Sequence, residues 1–188
     1  MSKCLLIIVS GPPCTGKTTL GKRLADDLRL PFFNKDGIKE ILFDTLGWKD
    51  RDWSRKLGIA TYELLYHSVE AMVRAGKPLV VESNFVNGPA TTRFLEMKAR
   101  HGAETLQIQC ITDGEVLFSR FKERAEAGER HPGHVDTSNY EEMRDILLKG
   151  RHDPLDIGGA VIEVDTTDFT AIQYSKLLDA VQAWLKSN

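Results

Sequence analysis

The sequence has few cysteines, no long apolar run and little excess charge, and each of these features excludes a class of protein to which the chain could otherwise belong. Its three cysteines, Cys4, Cys14 and Cys110, follow neither a C-x-x-C pattern nor the spacing of a zinc site, so we expect reduced thiols. The apolar run at residues 4–9 (CLLIIV) is far too short to cross a bilayer, and no signal-peptide pattern is present. These absences predict a soluble cytoplasmic protein that does not associate with membranes.

The charge is nearly balanced, which disfavours a long nucleic acid as the main partner. The 188 residues carry 25 Lys and Arg against 27 Asp and Glu, a formal net charge of -2. Such a chain has no overall basic field, although a local groove could still bind a nucleic-acid end. The length is suited to one domain with a sizeable core, so we predict a single domain over residues 1–188.

The most informative string is GPPCTGKT at residues 11–18, which matches the phosphate-binding pattern G-x-x-x-x-G-K-[ST]. An apolar run typical of a buried parallel strand precedes it, and a helical pattern follows. Successive backbone N–H groups can hold a polyphosphate there, because glycine lets the chain curl around the anion at the positive end of a helix. The predicted nucleotide contacts are Gly11, Pro12, Pro13, Cys14, Thr15, Gly16, Lys17, Thr18 and Thr19.

Three side chains of this loop have separate expected roles. Lys17 should reach the β and γ phosphates as a point charge, and Thr18 should offer its hydroxyl to Mg²⁺. Cys14 lies beside a helix N-terminus, a setting that can lower the pKa of a thiol, but we interpret it as a filler at a variable position. The predicted cofactors are therefore ATP and Mg²⁺.

Strands and helices alternate along the whole chain. The pattern predicts strands at residues 4–9, 31–34, 78–82, 105–111 and 160–164, with amphipathic helices between them and further helices over 138–149 and 170–185. Thr112 and Glu115 have the spacing of a capping box. The alternation predicts an α/β fold of three layers, in which helices cover both faces of a mainly parallel, five-stranded sheet.

Asp36 is the candidate catalytic base. In such sheets ligands collect at the carboxyl ends of strands, and the lengths of the first helix and second strand return Asp36 to the phosphate loop. A carboxylate there can accept the proton of an attacking hydroxyl, although Asp36 is also a candidate helix cap. Lys39 follows one turn later and should either neutralise phosphate charge and keep Asp36 ionised or be a solvated surface lysine.

The segment VVESNF supplies further candidates at the end of a strand. Glu82 occupies the place where P-loop proteins often put an acidic group that orients water on Mg²⁺, and the alternative is a contact with a substrate hydroxyl. We assign Asn84 and Phe85 to substrate binding as well. Trp48 and Trp53 are additional candidates for the wall of an acceptor pocket, although such aromatic residues more often belong to a core.

A cationic segment follows the fourth strand. Arg120 and Arg124 are four residues apart on one helix face, and Arg130 follows in the loop GERHPGH. These side chains are suited to a lid, over about residues 113–150, that closes over ATP and stabilises charge on the transferring phosphoryl group. The alternative is a helix surface paired with neighbouring glutamates. His131 and His134 are three residues apart with Asp136 nearby, but no cysteine or third histidine joins them, so we assign them to phosphate or acceptor contacts and not to a metal site.

The motifs GPPCTGKT, NKDGIK, VVESNF, RFKER with RHPGH, and VDTT together resemble the P-loop kinase group that includes polynucleotide 5′-hydroxyl kinases, zeta-toxin sugar kinases and chloramphenicol phosphotransferase. This resemblance implies strand order 2-3-1-4-5, ATP-dependent phosphorylation of a hydroxyl, Asp36 as general base and a mobile arginine lid. It also implies an adenine-contacting turn at Asp165 and Thr166. The polynucleotide kinases have arginine where this chain has Lys39, which disfavours a nucleic-acid acceptor.

The sequence therefore predicts a kinase that transfers the γ-phosphoryl group of MgATP to a hydroxyl of a small molecule. One alternative is a kinase of a nucleic-acid 5′-hydroxyl, and another is a nucleotide-dependent switch or ATPase without a small-molecule acceptor. The string NKDG is similar to the guanine-reading N-K-x-D, but it has Gly37 in place of the aspartate and comes too early in the chain.

Overall fold

The sheet fixes the architecture of the protein. The computed structural model describes residues 4–128, 130–135 and 140–187. Within them, five parallel strands lie in the order β2-β3-β1-β4-β5. The strands are β1 (Leu5–Ser10), β2 (Phe32–Asn34), β3 (Leu79–Glu82), β4 (Glu104–Ile111) and β5 (Ala160–Asp165). The predicted sheet and its strand order are confirmed.

Helices connect the strands, as the alternating pattern predicts. They are α1 (Lys17–Leu28), α2 (Lys35–Leu46), α3 (Arg51–Arg74), α4 (Pro89–His101), α5 (Gly114–Ala127), α6 (Tyr140–Leu148) and α7 (Tyr174–Ser187). Short 3-10 turns occur at Pro132–His134 and Phe169–Ala171. The last helix begins later than predicted, because Asp168 caps a separate turn by accepting the N–H of Thr170 at 2.8 Å. None of the helices in the described ranges is long and apolar enough to cross a membrane.

The core lies on both faces of β1, which is buried along its whole length. Alternate residues of a strand point to opposite faces, so Leu6 and Ile8 pack towards α3 and α4 while Ile7 and Val9 pack towards α1 and α7. Burial of each such aliphatic side chain contributes about 1.5–3 kcal/mol. An apolar cluster therefore lies on each face of the sheet, between the sheet and the helices that cover that face, and this gives the fold its three layers.

The cap of α5 differs from the prediction. Asp113 caps this helix, since its carboxylate accepts the N–H of Glu115 at 3.0 Å and of Val116 at 3.1 Å. Thr112, the predicted cap, is buried at the end of β4, and its hydroxyl lies 2.6 Å from that of Thr166 after β5. The threonine therefore joins two neighbouring strands and is not available to the helix.

Three segments meet at the carboxyl edge of the sheet. The register pairs Glu82 of β3 with Val9 of β1 on one side and with Asn34 of β2 on the other. The phosphate loop, the start of α2 and the residues after β3 therefore lie side by side, at the edge where ligands bind in open α/β sheets.

Candidate active site

A cavity of about 630 Å³ opens at this edge, a volume within the usual range for small-molecule sites. The loop, the starts of α2 and α3, and the predicted lid all border it. Most of the predicted site residues line it. They are Pro13, Cys14, Gly16, Lys17, Thr18, Thr19, Asp36, Lys39, Glu82, Asn84, Arg120, Arg124 and Arg130. Gly11, Pro12 and Thr15 are buried behind this surface and shape the loop.

The curl of the phosphate loop depends on two glycines. Gly11 has a φ of 147°, and a Cβ there would overlap the carbonyl oxygen of Cys110. Gly16 has a φ of 74°, and a Cβ there would lie 2.5 Å from the ring of Phe169. Cys14 also has a positive φ, of 68°, which an L-residue adopts at some energetic cost. Packing against β4 and against the turn after β5 therefore holds the loop in its curled form.

Glu82 joins the two functional side chains that follow the loop. The hydroxyl of Thr18 donates to one carboxylate oxygen at 2.8 Å, and Lys17 Nζ lies 3.9 Å from the other. Lys17 also donates to the carbonyl of Pro12 at 3.1 Å. Burial raises the pKa of Glu82, although the Lys17 ammonium acts in the opposite direction. A lysine, a hydroxyl and a carboxylate are thus assembled at one point of the cavity.

This donor set fits Mg²⁺, which takes oxygen ligands and usually keeps several waters. Thr18 and Glu82 supply a hydroxyl and a carboxylate side by side. The described part of the chain holds no group of three or more His, Cys, Asp or Glu side chains that could bind a metal ion. A Mg²⁺ ion here would therefore need water molecules and phosphate oxygens to complete its coordination.

Asp36 is not the cap of α2, so the alternative role considered for it is wrong. Asn34 caps this helix by accepting the N–H of Gly37 at 3.2 Å, and a Cβ at Gly37 would overlap the Asn34 side chain. The Asp36 carboxylate instead contacts the Lys35 ammonium at 3.0 Å and the Arg130 guanidinium. Burial would raise the pKa of Asp36, but the Lys35 and Arg130 charges outweigh it and hold the pKa well below its usual range. The carboxylate is ionised at neutral pH.

The turn between α5 and α6 packs on α2. His131 Nε2 lies 3.2 Å from Asp44, and His134 Nε2 lies 3.0 Å from Glu40. His134 is buried and lines the cavity. Both histidines were predicted to contact phosphate or acceptor, and of the two His134 lines the cavity whereas His131 does not. The nearby Asp136 lies outside the described residues.

Two further contacts attach the predicted lid to the rest of the molecule. Gly133 lies so close to the ring of Phe43 that a Cβ would be 2.7 Å from it. Glu142 of α6 accepts from Arg51 at 2.9 Å and from Arg55 at 3.5 Å. In this structure the segment therefore touches both α2 and α3 and bridges the cavity.

Arg120 is held in place by the turn that follows β5. Its guanidinium donates to the carbonyls of Thr166 at 2.9 Å and Thr167 at 2.7 Å, and lies 4.2 Å from the centre of the Phe169 ring. Arg124, one turn later, lines the cavity beside Phe121. Both arginines of α5 border the cavity, but Arg120 has backbone partners of its own.

Asp165 and Thr166, implied as adenine contacts, do not line the cavity. Thr166 is buried, and its N–H donates to the carbonyl of Ile111 at 2.8 Å. The Asp165 carboxylate accepts the N–H of Thr167 at 2.8 Å. The residue of this segment that does border the cavity is Phe169, which sequence reasoning missed because its neighbour Gly16 is far away in the chain.

Phe85 was predicted to bind substrate, and the structure places it in the core instead. It is 1% exposed, and its ring lies 5.2 Å from that of Phe94 in an edge-on arrangement. The chain turns inward after β3, so that Asn84 faces the cavity and Phe85 packs between α3 and α4. Neither Trp48 nor Trp53 lines the cavity.

Lys39 is not a solvated surface lysine. The residue is 6% exposed, lines the cavity, and donates to the hydroxyl of Ser54 on α3 at 2.9 Å. Burial is the main cause that lowers its pKa, from 10.5 to about 8, and the charge of Lys35 adds to this effect. Arg51 lines the cavity as well and was missed by sequence reasoning, because it carries no motif.

A family model described as an AAA domain matches residues 6–147, most of the chain and all of the elements that form the cavity up to α6. The chain belongs to this AAA_33 family of P-loop kinases. Membership confirms the predicted resemblance to a P-loop kinase group. No curated protein matches the chain.

Solved structures agree with an AAA_33 kinase fold. A candidate kinase from Chloroflexus aurantiacus J-10-fl is 37% identical, with a TM-score of 0.87 over 97% of this chain and 98% of that one. A sugar kinase from Janibacter sp. HTCC2649 is 16% identical, with a TM-score of 0.57 over 98% and 95% of the two chains. A gluconokinase from Sinorhizobium meliloti 1021 is 14% identical, with a TM-score of 0.50 over 98% and 97%. At such low identities the last two show the fold alone.

Proposed function

We propose that this chain transfers the γ-phosphoryl group of MgATP to a hydroxyl group of a small molecule. The observation that carries this proposal is a single cavity bordered both by the phosphate loop, with Lys17 and Thr18, and by the ionised carboxylate of Asp36. Phosphoryl transfer needs a held polyphosphate and a nearby proton acceptor, and the two occur together here. Membership of a P-loop kinase family supports the proposal.

The nucleotide would be held by the loop backbone and by Lys17. Lys17 Nζ now contacts the Pro12 carbonyl and lies near Glu82, and we propose that it turns from them to the β and γ phosphates. Thr18 and Glu82 would hold Mg²⁺, which neutralises phosphate charge when bound. Phe169, held against Gly16 by its contact with Arg120, provides a flat surface beside the loop for the nucleotide base.

Asp36 would accept the proton of the acceptor hydroxyl. Its two carboxylate oxygens now accept hydrogen bonds from Lys35 and Arg130. At least one of these oxygens must be released before the carboxylate can accept a proton from the acceptor. We propose that the incoming phosphates draw these cations away, and that Arg124 and Arg130 then stabilise charge on the transferring group. The base would thus become available only when nucleotide is bound. Residues 113–150 would act as the lid of a single kinase domain.

The test is transfer from γ-labelled ATP to a panel of hydroxylated metabolites, antibiotics and a 5′-hydroxyl oligonucleotide. We expect one class of small acceptor to stimulate transfer above background hydrolysis. Asp36→Asn should slow that transfer by about 10²- to 10⁴-fold, the usual contribution of a positioned base, with no loss of affinity for MgATP. Asp26→Asn, which makes the same change on the exposed surface of α1, should have no effect.

Three results would contradict the proposal. Unchanged transfer in Asp36→Asn would remove the assigned base. Hydrolysis that no acceptor stimulates, or a preference for GTP, would favour a switch or an ATPase. Preference for the oligonucleotide would assign the nucleic-acid 5′-hydroxyl as acceptor.

A further inference from the structure

The cavity has a marked excess of positive charge, unlike the chain as a whole. Its lining includes seven Lys and Arg side chains, Lys17, Lys35, Lys39, Arg51, Arg120, Arg124 and Arg130, against the two carboxylates of Asp36 and Glu82. The whole chain has a net charge of -2. The proposed function uses Lys17 and the arginines of the lid for the phosphates of ATP, and Lys35 is paired with Asp36. Lys39 and Arg51 remain without an assigned partner in that reaction.

Lys39 is a buried cation with too few acceptors. An ammonium carries three N–H donors, and the one hydrogen bond that the described residues give it is to the neutral hydroxyl of Ser54. No carboxylate in the described ranges lies within 4.0 Å of its Nζ. A buried charge that no carboxylate contacts is costly, and the more distant Asp36 compensates the Lys39 charge only in part. Since Lys39 lines the cavity, a ligand there is the available source of negative charge.

Arg51 provides a second donor on the same side of the cavity. It begins α3, three residues before Ser54, and its charge acts on Lys39. Its Nη2 bonds Glu142, but its Nε is buried and has no hydrogen-bond partner in the part of the chain that the structure describes. A buried N–H without an acceptor is costly, and an anion in the cavity would satisfy this one too.

We propose that the acceptor carries a carboxylate or phosphate group, which Lys39, Ser54 and Arg51 bind. This inference rests on the proposed kinase function. Lys39 lies one helical turn after Asp36 on α2, and such positions are about 5–6 Å apart. The anionic group and the reactive hydroxyl of the acceptor should be separated by a similar distance. The acceptor class is therefore a small hydroxy acid or the phosphate ester of a small polyol.

The test uses matched pairs of acceptors with γ-labelled ATP. Each hydroxy acid is paired with its neutral amide, and each polyol phosphate with the free polyol, so that the two pairs separate carboxylate from phosphate recognition. Loss of a hydrogen bond to a charged group costs about 1.5–3 kcal/mol, so we expect the charged member to be preferred about 10- to 100-fold in kcat/KM. Equal use of both members, or preference for the neutral ones, would overturn the inference and leave the kinase function intact.

Variants separate acceptor binding from nucleotide binding. Lys39→Met should raise KM for the charged acceptor about 10- to 100-fold and leave the Kd of MgATP unchanged. Lys56→Met, an exposed position on α3, should change neither. If Lys39→Met weakened MgATP binding as much as acceptor binding, Lys39 would belong to the nucleotide site and the inference would be wrong.

Calorimetry provides a measurement that does not need turnover. The protein loaded with Mg²⁺ and a non-hydrolysable ATP analogue is titrated with the same acids and phosphates. Saturable heat should appear with the wild-type chain and be lost or strongly weakened in Lys39→Met. Nucleotide binding without heat from any anion would overturn the inference, whereas failure of the nucleotide itself to bind would overturn the proposed function.

Discussion

At the residue scale, the site is a set of charges held closer together than their mutual repulsion favours. Lys35 and Arg130 both contact Asp36, and Lys39 is buried one turn further along α2. The Asp36 charge raises the pKa of Lys39, while the charges of Lys35, Arg130 and Arg51 lower it. Such an arrangement is expensive in the folded protein and is suited to a cavity that receives anions.

The cost of the Lys39 charge can be measured as a pH dependence of stability. The folded-state pKa of Lys39 is about 8, below the ordinary value of 10.5, so the full penalty for its charge is present below about pH 8 and does not change with pH there. As pH rises from about 8 to about 10.5, the unfolded chain binds more protons than the folded one, and stability rises. The shift corresponds to roughly 3 kcal/mol.

Lys39→Met should therefore unfold at higher urea concentration than the wild-type chain at pH 7, and the difference should shrink as pH rises to 10.5. The measurement is the free energy of unfolding of both chains at several pH values. Other titrating groups are common to the two chains and cancel in the difference. Lys56→Met serves as the control, and its difference from wild type should not depend on pH. A Lys39→Met difference that stayed constant with pH would show that the charge is not penalised.

At the element scale, the helices and strands could be predicted from the sequence, but the side-chain contacts between them could not. The apolar runs of β1 and β3 and the spacing of the phosphate loop are local signals, and they were sufficient to predict these strands, whereas the strand order was predicted from the family resemblance. Arg51 and Glu142 are 91 residues apart on the polar faces of two helices, and no local pattern brings them together. The inward turn at Phe85 and the packing of Phe169 on Gly16 depend likewise on distant neighbours.

The turn that carries His134 offers a test of the predicted lid. A methyl group added at Gly133 would lie 2.7 Å from the ring of Phe43, which is 1% exposed and has little room to move. Gly133→Ala should push the turn away from α2 at a cost of about 1–3 kcal/mol, as overpacking usually does. Displacing this turn should also displace Arg130, which we propose stabilises charge on the transferring group, so transfer should slow by about 10-fold or more.

Hydrogen exchange gives the direct measurement for this variant. Amides at residues 130–135 should exchange faster in Gly133→Ala, while those of β1 and β3 should keep their protection. Phe43→Leu provides space at the same point, so adding Gly133→Ala to that background should have a smaller effect than in the wild-type chain. Unchanged exchange and unchanged transfer in Gly133→Ala would show that the docking of this turn does not matter for the site.

At the scale of the whole molecule, the proposed nucleotide contacts and the proposed acceptor contacts follow different strands of the sheet. The loop after β1 presents the proposed phosphate contacts, and the start of α2 after β2 presents Asp36 and Lys39. Glu82, at the end of β3 between them, contacts Thr18 on one side, and its strand pairs with both neighbours. The strand order 2-3-1 places Asp36, the proposed base, one strand away from a phosphate loop that precedes it by about twenty residues in sequence. A ligand that contacts all these segments should therefore stabilise the packing of β1, β2 and β3 together with the helices that follow them.

Nucleotide binding should accordingly stabilise the chain as one unit. A ligand that binds only the folded state at 100 times its Kd adds about 2.7 kcal/mol, and for a chain of this size each kcal/mol raises Tm by about 2–4 °C. We therefore expect MgATP to raise Tm by about 5–10 °C, measured by calorimetry or by tryptophan fluorescence. Lys17→Ala should fold and show a much smaller rise, because its phosphate contact is lost. Equal rises in the two chains would mean that the nucleotide binds elsewhere, since Lys17 lies at the centre of the loop surface that borders the cavity.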